Sequence, residues 1–263
     1  MKIIRLSLAA AALCSAVSVS AQFANVAADE PSAAAPARSV LIKDTRSYSR
    51  LDLSYAPLKI VTDISGAEDH KLTGLSLGYT HGFSLTRQVP LFIELGANLT
   101  YGFSKRDYED RGLKEDDGFE VRTSLFSLSV PVSLAYKLSF NKRLSLTPFV
   151  GLTFRGNLAA VSKYKFNDFE KDFGDSYSWK NEEEYWKYQE EHETGLREKT
   201  DLFDKKETGS KDATWKRFQA GWQIGVGLNY KHLYIGVSYG KDFNELCKKT
   251  KLATTRISLG CNF

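Results

Sequence analysis

Few side chains in this sequence are suited to making or breaking covalent bonds. The four histidines are His70, His81, His192 and His232. Hydrolysis or acyl transfer needs a nucleophile beside a base, with a third group holding the base in place. His70 stands next to Asp69 and could serve such a site at an outer rim. No serine is linked to it by a recognisable spacing. His81 has the parity of an apolar face, and His232 lies in a tight turn. No phosphate-cradling glycine loop, CxxC pair or HExxH motif occurs. Asp168, Glu170, Asp172 and Asp175 offer oxygen ligands, but not at the spacing of a calcium-binding loop. No catalytic, cofactor-binding or metal-binding residue is therefore expected, and the protein is expected not to be an enzyme.

Two other groups of residues carry more information. Arg50, Asp52, Glu94, Arg122, Lys137, Arg155, Arg217 and Arg256 fall on the polar face of alternating runs. If that face is enclosed, its charges must pair or meet water, because isolated burial is very costly. They are expected to form a salt-bridged interior, with an arginine-lined ion path as the alternative. The second group lies in residues 163–213, which hold fifteen acidic and ten basic residues and ten aromatics. Among those aromatics, Trp179, Tyr185, Trp186 and Tyr188 are candidates for a surface contact with a protein, a glycan or a lipopolysaccharide headgroup. The alternative is a loop packed on itself. Asn181 to Thr194, with Glu182-Glu183-Glu184 in the first turn, fits a short helix.

Alternating strands must position these residues. From Leu91 to Phe103 the odd positions are all apolar, while the even positions include Glu94, Gly96, Asn98 and Thr100. Successive side chains of a strand point to opposite faces, so one face is greasy and the other small and polar. The same alternation marks eight runs, roughly 47–58, 71–84, 91–104, 119–140, 144–162, 214–231, 232–244 and 253–263. Phe119, Val121, Thr123 and Leu125 break parity with the residues after Phe126, which predicts a bulge at Leu125–Phe126. Several runs reach ten or more residues, enough for a tilted strand to cross a bilayer. The minority face is rich in Gly, Ser, Thr and Asn, which suits a narrow lumen better than the charged outside of a soluble sandwich. Short connections at 85–90, 141–143 and 231–232 alternate with longer ones at 59–70, 105–118, 163–213 and 245–252.

Aromatics bunch near the run ends. Phe83, Tyr136, Phe140, Tyr230 and Phe263 lie near the short turns. Tyr55, Tyr101, Phe103, Phe119, Phe154, Phe218 and Tyr239 lie near the long loops. Rings that prefer the headgroup zone would form two girdles.

Composition agrees with an exported barrel. The chain has 263 residues, 42% hydrophobic and 26% charged, with net charge +4. That charge is too weak and too scattered for nucleic acid. A mean hydropathy of −0.33 disfavours a bundle of membrane helices. Lys2 and Arg5 precede an apolar run that ends Val19-Ser20-Ala21, so residues 1–21 read as a secretory signal peptide. Leu13 before Cys14 argues against lipoprotein processing. Residues 22–46 read as a flexible periplasmic tail rich in Ala, Ser and Pro. Cys247 and Cys261 would sit at opposite ends of one hairpin, too far apart to bridge.

The last segment alternates through Thr255, Ile257, Leu259 and Cys261 to a terminal Phe263. It resembles the C-terminal signal of bacterial outer-membrane barrels. Residues 47–263 resemble the small eight-stranded barrel family of the OmpA/OmpX type and the related outer membrane protein beta-barrel domain proteins. Leu128-Ser129-Val130-Pro131-Val132 through Lys137, followed by Thr147-Pro148-Phe149-Val150-Gly151, is similar to the central hairpin of the latter group. The resemblance implies an all-β, closed antiparallel eight-stranded transmembrane barrel with short periplasmic turns and long extracellular loops. It implies a bacterial outer-membrane location, lipid and lipopolysaccharide as surroundings, and recognition of Phe263 by the outer-membrane assembly machinery. The expected role is structural or surface-interacting, without cofactor. A narrow porin-like channel and a secreted lipocalin-like binder are the alternatives.

Overall fold

The computed structural model describes residues 43–63, 69–109, 118–166, 169, 179–192 and 196–263. Residues 1–42, and with them the expected signal peptide and most of the expected tail, lie outside the described residues. So do Asp168, Glu170, Asp172 and Asp175.

The strands in chain order are β1 (Tyr48–Tyr55), β2 (Leu58–Thr62), β3 (His70–Ser84), β4 (Leu91–Glu109), β5 (Gly118–Tyr136), β6 (Leu138–Ser139), β7 (Leu144–Phe166), β8 (Lys199–Asp201), β9 (Phe218–Tyr230), β10 (Leu233–Asp242) and β11 (Thr250–Asn262). Among the described residues one long helix, α1, spans Glu182–Glu191. All strand pairings are antiparallel. The path β1-β11-β10-β9-β7-β5-β4-β3 returns to β1, because Leu51 pairs with both Cys261 and Tyr79. Eight strands therefore close on themselves and leave no edge. The last residue helps to seal the ring. The Phe263 amide donates to the Ser49 carbonyl at 2.9 Å, and the Ser49 amide donates back at 3.0 Å. The first predicted run is split at Ala56-Pro57, since proline lacks the ladder donor, and resumes as β2 between β11 and β3.

Parity is visible in burial. Along β3 and β4 the even residues are mostly buried and the odd residues mostly exposed, and all twelve predicted girdle aromatics are exposed on the outside. A water-facing exterior of this kind would be a large unpaired apolar surface. Between the aromatics lie Leu77, Leu95, Leu152, Val226, Ile235 and Ile257, all exposed. β4, β5 and β7 are 19, 19 and 23 residues long, about twice what a bilayer crossing needs, so they continue past the belt at the loop end.

The parity break has a different seat from the one the sequence predicts. The register shift lies opposite Phe126 and Ser127: Phe126 pairs with Ala159 and Ser127 with Asn157. The extra residue, Leu158, is thus in β7, and Leu158 and Ala159 both face out. Leu125 and the odd residues of β5 that follow it are inward, while Phe119 at the loop end is exposed.

Three layers fill the lumen. At the turn end Tyr48 and Phe92 meet edge to face at 5.3 Å. Charged and hydroxyl groups occupy the middle. At the loop end Leu58, Ile60, Leu72, Leu125, Ala160, Leu246 and Leu252 form an apolar cluster, with Leu202, Phe203 and Trp215 packed against it. Two glycines make room for a large ring in the middle layer. A Cβ at Gly227 or Gly236 would come within 2.3 or 2.2 Å of Tyr234. Gly236→Val is expected to cost about 1–3 kcal/mol through overpacking. Gel mobility of unheated against heated samples would show it as a reduced folded fraction.

Candidate functional site

The middle layer brings together most of the predicted inward charges. Arg50 lies 3.4 Å from Glu94 and 3.9 Å from Asp52, and all three side chains are buried. The Arg50 guanidinium also sits 3.9 Å above the Tyr234 ring. The Tyr48 hydroxyl donates to Glu94 from below. Arg155 donates to Asp242 at 3.0 Å and to the Thr254 hydroxyl at 2.8 Å. Arg256 borders the same space as Arg50, Asp52 and Glu94, a cavity of about 30 Å³. That volume holds about one water molecule.

Three of the predicted positions differ from the expectation or refine it. Arg122 faces outward. Its even position on β5 is an outer one because the extra residue lies in β7, and it pairs with Glu120, which Lys105 also reaches at 2.8 Å. Arg217 is exposed above the apolar cluster, since β9 begins only at Phe218. There it donates to the Leu158 carbonyl at 3.2 Å and lies 4.2 Å over the Phe203 ring, pinning the long loop to the rim. Lys137 sits at the turn-end mouth and bonds Asp44 at 2.7 Å. Burial alone would raise the Asp44 carboxyl, but Lys137 and Arg46 outweigh it and hold it at about 2. The pair's contribution is therefore present above the ordinary aspartate range and is lost as pH falls through about 2. Pepsin cleavage ahead of Tyr48 is expected to be slow at pH 4 and to accelerate toward pH 2.

Residues that close the lumen were partly missed. Asp242 shares its even parity with the inward Tyr234 and Gly236, a signal that could have found it. The apolar cluster could have been found from Leu72, which stands on the same even face as Gly74 and Ser76. Leu202, Phe203 and Trp215 carry no comparable periodic signal.

At the loop end, the described residues of 163–213 build a folded module. Asn181 caps α1 by accepting the Glu184 amide at 2.8 Å, as the predicted helix start requires. Glu182 also accepts the Phe166 amide at 3.1 Å, which ties α1 to the end of β7. Tyr185 is buried and meets Phe166 at 5.4 Å, while Trp186 stacks on Phe166 at 5.5 Å. Trp179 packs on Tyr188 at 4.2 Å. The four predicted contact aromatics thus come together chiefly as a small core, with Tyr188 the most exposed at 37%. Beside them opens a cleft of about 980 Å³. Its cations are Arg122, Lys163, Lys165, Lys187, Arg197 and Lys199, set against four glutamates, with Trp186 and Tyr164 on the wall. The loop is acidic as a whole, yet its cleft is cation-rich.

Two histidines have a hydroxyl in reach: His70 Nε2 lies 2.9 Å from the Ser104 Oγ, and His81 Nδ1 lies 2.8 Å from the Ser49 Oγ. Asp69 is directed elsewhere, to Lys59 at 2.5 Å. Among the described residues no group of three or more His, Cys, Asp or Glu side chains could hold a metal. Cys247 is a free thiol.

A family model for the outer membrane protein beta-barrel domain matches residues 47–244. This chain belongs to that family. The protein is a bacterial outer-membrane barrel, so the turn end faces the periplasm and the loop end the outside. No curated protein matches the chain. The structure is similar to that of Ail, the attachment invasion locus protein of Yersinia pestis, in complex with the heparin analogue sucrose octasulfate, at 14% identity and TM-score 0.41, covering 82% of this chain and 99% of Ail. It is similar to the outer membrane enzyme PagL at 13% identity and TM-score 0.37, covering 81% and 98% of the two chains. OprG from Pseudomonas aeruginosa is 11% identical with TM-score 0.35, covering 82% and 96%.

Proposed function

We propose that this outer-membrane barrel is a non-enzymatic surface-interaction protein, with a lumen plugged by paired charges and an extracellular module that binds an anionic glycan. On this reading residues 1–21 are removed on export, residues 22–46 remain as a periplasmic tail, and Phe263 is read by the assembly machinery. The observation that carries the proposal is the cleft beside α1. Six cations converge there from β5, β7, α1, the segment leading into β8 and β8 itself. Clustered cations next to an indole suit a ligand that offers both negative charge and a sugar face. The belt of lipid-facing side chains and the triple-layered lumen supply the rigid support on which such a loop can act. A lipocalin-like binder in free solution is incompatible with membership of an outer-membrane family.

The test is binding of dextran sulfate to the protein in detergent, with neutral dextran as control. Wild type is expected to retain dextran sulfate in a salt-sensitive manner and to ignore neutral dextran. Lys163→Gln combined with Lys165→Gln is expected to weaken binding about tenfold, since exposed charge contacts each contribute on the order of 1 kcal/mol or less. Equal binding by wild type and variant contradicts the proposal.

A further inference from the structure

The opposite end of the barrel holds a second cationic cavity, of about 610 Å³. It is walled by four stretches distant in sequence: 43–48, 137–147, 229–231 and Asn262. Lys43, Arg46, Lys137, Lys142, Arg143 and Lys231 line it, and among the described residues the one lining carboxylate is Asp44, so these residues carry net +5. Asp44 is already engaged by Lys137 at 2.7 Å and Arg46 at 3.2 Å.

The inner wall is polar and neutral. Ser139, Ser145 and Thr147 are buried there. A chain of amides crosses it: Asn262 Nδ2 donates to Asn229 Oδ1 at 2.8 Å, and Asn229 Nδ2 donates to the Thr147 hydroxyl at 3.0 Å. The chain ends at Asn262 Oδ1, a buried acceptor with no hydrogen-bond partner among the described residues. The cavity has the size of a small-molecule site, not of a flat protein interface.

We propose that the periplasmic mouth binds an acidic saccharide. The rim cations hold its anionic group, and its hydroxyls meet the hydroxyl-and-amide wall. A carboxylated glycan and a phosphorylated sugar share this chemistry. The site is separate from the extracellular cleft and does not depend on it.

Calorimetric titration of the full chain in detergent tests this with three probes: trigalacturonate, glucose 6-phosphate and maltotriose. At least one charged probe is expected to bind, maltotriose is not, and raising salt from about 50 to 500 mM should weaken binding severalfold. Binding of trigalacturonate alone assigns a carboxylated glycan, and binding of glucose 6-phosphate alone assigns a phosphorylated sugar. The combined variant Lys43→Gln, Arg143→Gln, Lys231→Asn should lose at least tenfold in affinity while keeping the heat-dependent gel shift of a folded barrel. If that variant does not fold, the same titrations on the Lys163→Gln, Lys165→Gln variant decide: charged-probe binding that persists there supports the mouth, and binding lost there overturns the proposal. Failure of both charged probes, equal binding of maltotriose, or unchanged affinity in the folded variant overturns the proposal. Unchanged affinity would place the binding at the extracellular cleft instead.

Discussion

Replacing Arg155 with methionine is expected to destabilise the folded barrel by about 3–5 kcal/mol, the usual cost of leaving one member of a buried ion pair without its partner. Asp242 would be left in the middle layer with its side chain 4% exposed and no cation at 3.0 Å. The Thr254 hydroxyl would lose its donor as well. The double variant Arg155→Met, Asp242→Leu removes both charges and should recover most of the loss, because a well-packed apolar pair of similar volume is often neutral or better. Urea unfolding in phospholipid vesicles, followed by tryptophan fluorescence, gives all three values. A single variant as stable as wild type would mean that water reaches Asp242 and that the lumen is wetter than described.

Placing an arginine on the outer belt should be nearly as costly. Val150 is 53% exposed, roughly midway along the apolar stretch of β7, and pairs with Leu134 and Ile224, which also face out. Val150→Arg is expected to cost about 2–4 kcal/mol in vesicles, the depth-dependent penalty of a charge near the bilayer midplane. Tyr230→Arg, in the turn-end girdle, should cost about 0–1 kcal/mol by the same principle. Equal effects at the two positions would contradict a lipid-facing belt. This contrast is useful because in water an exposed valine tolerates arginine with little change.

The alternation that places Val150 outside was legible in the sequence because a strand has a period of two and this barrel has two chemically different faces. Arg50, Asp52, Glu94, Arg155 and Arg256 could be placed in the lumen on that ground alone. The α1 start at Asn181 was legible for another local reason, a cap followed by acids in the first turn. What failed was the counting of one inserted residue. Parity places a bulge wherever two alternating stretches disagree on one strand, but only the pairing partner shows which strand carries the extra residue. Moving it from β5 to Leu158 of β7 turns Arg122 outward. Arg217 was misplaced because parity says nothing about where a strand ends. The apolar seal at the loop end was missed because Leu246, Leu202 and Trp215 come from loops whose return onto the lumen is set by tertiary contact, not by period. The cleft beside α1 is likewise a product of folding, since a segment rich in acids closes around cations drawn partly from β5 and β7.

Single-channel recording in planar bilayers tests the plugged lumen most directly. With the apolar seal, the Arg50 and Arg155 ion pairs and the Tyr48–Phe92 contact all in place, wild type is predicted to give no steady openings. Steady openings in wild type whose size changes on Arg155→Gln would contradict the account and assign the protein to conduction instead of surface contact.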